Sequence, residues 1–450
     1  MSTEASPLKR RDIVNALRLG VVPKRGLELF AVGLDRFEKH IDEELDSVAA
    51  GSGMLKAVRG EYGCGKTFFA RWLEHRARQR GFATTLVQIS ETDTPLYRLE
   101  TVYRRAIEGL QTKEWSEGAF RALIDRWFYN LEEEVLTGGH VSGHDAEAVS
   151  RAVGELLEKR LASVSATQPQ FAAALRRCHA ARVGGEHAIS EGLIAWLMGQ
   201  PNVGAEIKRA AALKGEIDHD GASGFFRGLL EVLKQTGRKG LVLVLDEVET
   251  IQRVRADSRE KSLNALRQFV DDLYQSRYPG LYVLVTGTPQ FFDGPQGVQR
   301  APALASRLAT EFAKDTRFDS ARAPQLRLMP FDLDKLVEVG KRVRDLYPSS
   351  AGDRIHAKVD DALLHTLAQG VAGKLGGKVG VAPRIYLKRV VDVLDRVDEH
   401  PEFNPREDYP LIVKAEELTD EERGAAGLAK SPDEIALDVD IKPPGGARNL

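Results

Sequence analysis

The stretch VRGEYGCGKTFFARWL, residues 58–73, follows an apolar run at 54–58 and opens into a segment with the spacing of an amphipathic helix. Gly60, Gly65, Lys66 and Thr67 satisfy G-x-x-x-x-G-K-[ST], and a strand before with a helix after is the context that turns this pattern into a site. Glycines are needed because the loop must turn its backbone N–H groups inward around phosphate oxygens, in dihedrals that a side chain would obstruct. The expected cradle is Gly60, Glu61, Tyr62, Gly63, Cys64, Gly65, Lys66, Thr67 and Phe68. Lys66 is expected to reach the β and γ phosphates and Thr67 to bind Mg2+, with the helix N-terminus adding positive partial charge. Cys64 reads as a small residue tolerated between two glycines rather than as a redox centre.

LVLVLDEVET, residues 241–250, supplies a second half. A buried strand ending in Asp246 puts a carboxylate at the carboxyl edge of a sheet, opposite Thr67, where it can hold the magnesium shell. Glu247, one residue on, is placed to polarise an attacking water as general base. This pairing favours hydrolysis of a nucleoside triphosphate, ATP with Mg2+, over transfer to a bound acceptor. In LYVLVTGTPQFF, residues 281–292, Thr286 and Thr288 end a further strand. Thr286 can orient the water or contact the γ phosphate, although threonine at a strand end is often turn chemistry.

Five apolar runs have strand character, at 54–58, 84–89, 241–245, 281–285 and 325–329. Continuous rather than alternating apolar runs predict strands covered on both faces, hence a doubly wound parallel five-stranded sheet of the α/β class. Between Asp93 and Phe225 roughly 130 residues have helical periodicity without a convincing strand. The expected division is a leader and helix at 1–50, a core at 51–332 containing a helical insertion at about 94–224, a helical lid at 333–400 and a tail at 401–450. Lid helices are expected at 333–347, 359–371 and 383–397, the last starting on a proline suited to a first helical turn.

Hydrophobic residues make up 42% of the 450 and charged residues 29%, the balance of an ordinary soluble protein. No apolar run reaches the roughly 18 residues a bilayer span needs, so no membrane is expected. The start lacks the apolar core of a signal peptide, and two cysteines, Cys64 and Cys178, exclude a disulfide framework. A cytoplasmic setting follows. The net charge of −2 does not favour nucleic acid as a bulk partner. His140 and His144 lie in a glycine-rich loop and His219 between two acids, without the spacing of a metal site. Trp115, Trp127 and Trp196 read as core or partner-facing anchors.

In this order the motifs resemble those of the AAA+ type of P-loop NTPase, in particular the helicase loaders similar to origin-recognition proteins. The resemblance implies that Thr286 is a "sensor 1" and that Arg384, in GVAPRIYLKRVVDVL, is a "sensor 2" carried by the lid. It offers Arg307 as an arginine finger acting across an ATP-dependent homo-oligomer, with Arg300 as the alternative and a surface ion pair as the bland reading of either. RRDIVNALRLGVVPKRGLELFAVGLDRFE, TPLYRLETVYRRAI, TGTPQFFDGPQGVQ and GGKVGVAPRIYLKRVVDVLDRVD further resemble the BrxD family of bacteriophage-exclusion (BREX) systems. That likeness implies an ATPase in an antiphage operon, working with a DNA helicase encoded nearby, and a leader whose Val22 and Pro23 cover the adenine ring. Too few ordered residues are expected after Val397 for the winged-helix domain usual in such loaders. Direct contact with DNA would have to come from QRVRADSREK, KLGGKVG or the insertion, and charge runs of this kind are more often merely solvated. The competing reading is a nucleotide-gated scaffold that binds ATP without turnover. A translocating motor is disfavoured because no second nucleotide domain or helicase motif is present.

Overall fold

The computed structural model describes residues 6–138, 145–374 and 383–410. Its centre is a sheet of five strands: β1 (Met54–Arg59), β2 (Ala83–Gln88), β3 (Leu241–Asp246), β4 (Leu281–Gly287) and β5 (Gln325–Arg327). They lie in the order β2-β3-β4-β1-β5, and every pairing is parallel. The continuous apolar runs have the cause expected of them, since every residue of β3 and β4 is buried.

Alternation within these strands feeds two different cores. Leu241, Leu243, Leu245, Val283 and Val285 face one side, where they join a large cluster of helices. Val242, Val244, Tyr282 and Leu284 face the other. That second side is covered by α2 (Asp35–Ala49) and α3 (Lys66–Gln79), through Phe37, Ile41, Leu45, Phe69 and Leu73. Ahead of them in the chain stands α1 (Pro7–Arg18).

Between β2 and β3 the described residues form α4 (Leu99–Glu108), α5 (Ala119–Thr137), α6 (Ala146–Thr167), α7 (Pro169–Val183), α8 (His187–Leu197), α9 (Ala205–Ala210) and α10 (His219–Gln235). This run has no separate core. Tyr103 of α4 packs edge-on against Phe225 and Phe226 of α10, and Phe226 packs against Phe269 of α11 (Ala256–Tyr274), which lies beneath the sheet. Trp127 and Trp196 are buried in the same cluster, with Trp115 half-buried at its border.

After β4 come α12 (Pro289–Asp293) and α13 (Pro302–Leu308), and after β5 come α14 (Leu333–Leu346), α15 (Gly352–Lys358), α16 (Asp361–Lys374), α17 (Pro383–Glu399) and α18 (Pro405–Asp408). The short α15 was not among the expected helices, because its seven residues, about two turns, carry too little periodicity to register. Residues 401–410, read as the beginning of a tail, instead pack on these helices. Lys358 Nζ donates to the carbonyls of Pro401 at 2.6 Å and Phe403 at 2.9 Å, and Tyr409 is buried.

The leader belongs to this last group of helices. Ile13, Val14 and Leu17 of α1 are buried with Leu336, Val339, Tyr386, Val390 and Leu394 of α14 and α17. Arg18 grips Asp395 with two parallel bonds of 2.7 and 2.8 Å, the fork geometry that makes an arginine–carboxylate pair directional. Among the described residues, no helix is long and apolar enough to cross a membrane.

Ile13 is fully buried, and Gly26 stands so close that an added Cβ would meet its Cδ1 at 2.5 Å. Ile13→Ala should therefore cost about 2–5 kcal/mol. Hydrogen exchange should register this as lost amide protection in α14 and α17; unchanged protection there would contradict the shared core.

Candidate functional site

The turn from β1 into α3 is built from backbone that other residues adopt poorly. Gly63 and Gly65 have φ of 78° and 96°, the left-handed region. Gly60 is required for space: a Cβ there would stand 2.3 Å from Cys64 Sγ and 3.1 Å from the Leu328 carbonyl. Lys66 folds back over the loop, its Nζ donating to the carbonyls of Gly60 at 2.9 Å and Glu61 at 3.3 Å, over the ring of Tyr62. Cys64 is buried in the turn, and that burial pushes its thiol pKa up to about 11.

Parallel register sets the other half of the site. Gln88 of β2 pairs with Asp246 of β3, and Leu245 pairs with Val285 of β4, so Asp246 ends its strand between Gln88 and Thr286. Its carboxylate accepts from Thr67 Oγ1 at 3.0 Å on one oxygen and from the Thr286 hydroxyl on the other. Thr286 Oγ1 in turn accepts the backbone N–H of Glu247 at 3.1 Å. Glu247 has φ 60° and ψ 42°, an uncommon conformation for a residue with a Cβ. Its carboxylate is held by Gln88 Nε2 at 2.8 Å.

Above these strand ends lies a cleft of about 1140 Å³, between the sheet's carboxyl edge and the group formed by α1, α14 and α17. Tyr62, Gly63, Cys64, Gly65, Lys66, Thr67, Phe68, Glu247 and Arg384 line it, as do Val22 and Pro23 of the leader. Phe30, Val32, Phe331 and Leu387 make much of the rest of the wall apolar, and Phe30 stacks edge-on with Phe68 at 5.3 Å. Gly60, Glu61, Asp246 and Thr286 are not on the wall; Asp246 and Thr286 are buried next to it, and Glu61 is exposed. Arg307 is outside the cleft on α13, where it pairs with Asp271 and donates to the Ala303 carbonyl at 3.0 Å. Arg300, also outside it, is exposed.

Two residues of the site had not been singled out from the sequence. Gln88 is one, and its only signal is that it ends a strand which must neighbour β3. Glu249 is the other: it is 4% exposed, lines the cleft, and lies 3.8 Å from Lys66 Nζ. Burial raises its pKa against the opposing pull of Lys66. In DEVET the acidic signal lies in the DE pair at the strand end, and a glutamate two positions further on has no comparable mark.

The residues present fit a polyphosphate and a divalent cation. A loop that admits no Cβ at Gly60, an ammonium at its centre, and a hydroxyl and a carboxylate 3.0 Å apart form an anion cradle beside a hard-oxygen pair. Among the described residues, no group of three or more His, Cys, Asp and Glu side chains could hold a metal. His140, His144 and all but the first residue of KLGGKVG lie outside the described residues.

A parallel α/β sheet with a glycine-rich turn and an acidic strand end at its carboxyl edge is compatible with a P-loop ATPase. The chain belongs to the family of the BREX system ATP-binding protein BrxC/D, whose profile matches residues 5–412. Among curated proteins no match was found.

A thiol moved from about 9 to about 11 by burial holds about 100-fold less thiolate at neutral pH than a free cysteine. Cys64 should accordingly resist iodoacetamide in the folded protein and react in guanidinium, as read by peptide mass. Rapid labelling of the native chain would contradict the buried turn.

Proposed function

We propose that this protein is a Mg2+-dependent ATPase of a BREX defence system, acting as a helicase-loader-like switch of the AAA+ type. The observation that carries the reading is the meeting of Thr67 Oγ1 with Asp246 at 3.0 Å, directly beside Lys66 in the glycine turn. Two stretches of the chain, 179 residues apart, converge there, and their chemistry suits a triphosphate with its cation.

In this reading the amides of residues 60–67 and the Lys66 ammonium hold the phosphates, while Thr67 and Asp246 hold Mg2+. The ion, when bound, offsets charge on the phosphate oxygens. Val22 and Pro23, with Phe68 and Leu387 nearby on the wall, supply an apolar seat for the base. Glu247 takes a proton from the attacking water on the carboxylate oxygen that Gln88 does not hold, or on either once that bond is released. Thr286 acts through Asp246 and the Glu247 amide, since its hydroxyl already serves both. Arg384 projects from the first turn of α17 into the cleft, where a guanidinium can sense the terminal phosphate and draw the C-terminal helices onto the core as a lid.

The partner in this reading is a DNA helicase of the same operon, with DNA reached directly or through it. An ATP-dependent homo-oligomer would let Arg307 act on a neighbour's nucleotide, exchanging its bond to Asp271 for the phosphate. A cytoplasmic setting accords with these partners.

Lys66→Ala should weaken ATP binding by about 100-fold or more, the loss expected when a buried charged hydrogen bond is removed. Glu247→Gln should leave affinity within a few-fold and lower turnover by about 100-fold or more. Calorimetry and steady-state phosphate release read the two effects. Full affinity without Lys66 would defeat the reading, and a Glu247→Gln protein behaving as wild type would favour the scaffold that binds ATP without turnover. Stimulation of turnover only when the helicase is present distinguishes a loader from a motor, which DNA alone would stimulate.

A further inference from the structure

Glu249 presents a problem that the catalytic reading does not absorb. It is 4% exposed, and apart from the pull of its own backbone N–H neither of its carboxylate oxygens has a hydrogen-bond partner. A carboxylate taken out of water without donors is costly and is tolerated only beside a compensating cation. Among the described residues, the one ion pair it makes is with Lys66 Nζ, at 3.8 Å. The other charged groups acting on it, Asp246 and Glu247, have the same sign and lie on its own segment.

Both members of the pair face the cleft. Among the described residues, Lys66 is otherwise held only by the carbonyls of Gly60 and Glu61 and by the ring of Tyr62, none of which carries charge. One ammonium is thus placed between a buried carboxylate and the loop whose amides turn inward for phosphate.

We propose that Glu249 is a positioning residue, the resident counter-ion of Lys66, and that it sets how strongly the cleft prefers a nucleoside triphosphate to a diphosphate. This rests on the reading above, in which Lys66 holds the phosphate chain. A polyphosphate that recruits Lys66 takes from Glu249 its single counter-charge. The carboxylate then remains buried, with its own backbone N–H in place of a cation, beside the incoming phosphates. The opposing effect is greatest for the ligand that brings most negative charge to Lys66. Glu249 therefore narrows the advantage of ATP over ADP, and a neutral side chain of the same shape widens it.

The experiment is calorimetric titration of the full chain with Mg2+ and either ADP or a non-hydrolysable ATP analogue. Wild type, Glu249→Gln, Glu249→Asp and Lys66→Ala are compared. Glu249→Gln should raise the affinity ratio of analogue to ADP about tenfold, whereas Glu249→Asp, which keeps the charge, should stay within about threefold of wild type. A role confined to packing would move both ligands alike and leave the ratio unchanged, which overturns the proposal. So does a fall in the ratio.

Wild type alone supplies a second readout if Glu249→Gln fails to fold. Its ratio should rise as pH is lowered through the range in which the protein stays folded, because burial favours the protonated carboxyl of Glu249 and that form no longer opposes the added phosphate. The terminal phosphates of the analogue and of ADP both take up a proton over the same range, so that effect largely cancels in the ratio, and a ratio that stays flat or declines overturns the proposal. Lys66→Ala separates the two levels of inference. If it binds both ligands as wild type does, the phosphate-holding role of Lys66 fails. If it loses both while the Glu249→Gln ratio is unchanged, only the counter-ion proposal fails.

Discussion

The site depends on one carboxylate being in two hydrogen bonds at once. Asp246 accepts from Thr67, at the start of α3, and from Thr286, near the end of β4. The same Thr286 oxygen accepts the Glu247 amide. A single side chain at the tip of β3 therefore ties the glycine turn to the two central strands, in a buried setting where a carboxylate left without donors would be strongly unfavourable. Removing either hydroxyl would leave an oxygen of Asp246 to find another donor or a cation. This is why the elements that follow β1, β3 and β4 meet at one point although long stretches of chain separate them.

The second constraint is that the cleft is closed by chain from both ends of the sequence. α1 shares its core with α14 and α17, and the leader also reaches the helix of the glycine turn, where Glu28 lies 3.3 Å from His75 Nε2 and 2.6 Å from Lys9 Nζ. Val22 and Pro23 are therefore on the wall because the leader must pass from one body to the other. Their position follows from connectivity, before any contact with a base is considered.

Much of this was legible because the signals were local. Of the five strands, β3 and β4 were the clearest, since every residue of each is buried and few polar residues interrupt them; β1, β2 and β5 carry Lys56, Thr84, Thr85, Gln325 and Arg327 and stood out less, as mixed runs. The glycine turn was readable because steric exclusion at Gly60 and positive φ at Gly63 and Gly65 restrict residue choice. What escaped the sequence was whatever depends on register between distant strands. Nothing in ATTLVQ marks Gln88 as the partner of Glu247; that follows only from β2 lying beside β3 with Gln88 opposite Asp246. Glu249 escaped for a different reason. A glutamate two residues past a strand end is ordinarily solvated, and its burial arises from Lys66 and the cleft wall, which belong to other parts of the fold.

Register also explains the conformation of Glu247. With Asp246 committed to two threonines, the chain must turn immediately after β3, and Glu247 takes the left-handed conformation to do so. Such a conformation costs of order 1–3 kcal/mol, while a hydrogen bond to a charged group returns about 1.5–3 kcal/mol. The bond from the Glu247 amide to Thr286, between neutral groups and worth about 0.5–1.5 kcal/mol, offsets part of that cost, and the charged bond from Gln88 Nε2 adds to it at the side chain. Of the two, the amide bond maintains the turn and the Gln88 bond sets only where the carboxylate points. A ligand that draws the carboxylate away from Gln88 has one charged hydrogen bond to outweigh and leaves the backbone undisturbed. The strand ends can accordingly stay rigid while the acid they carry changes partner.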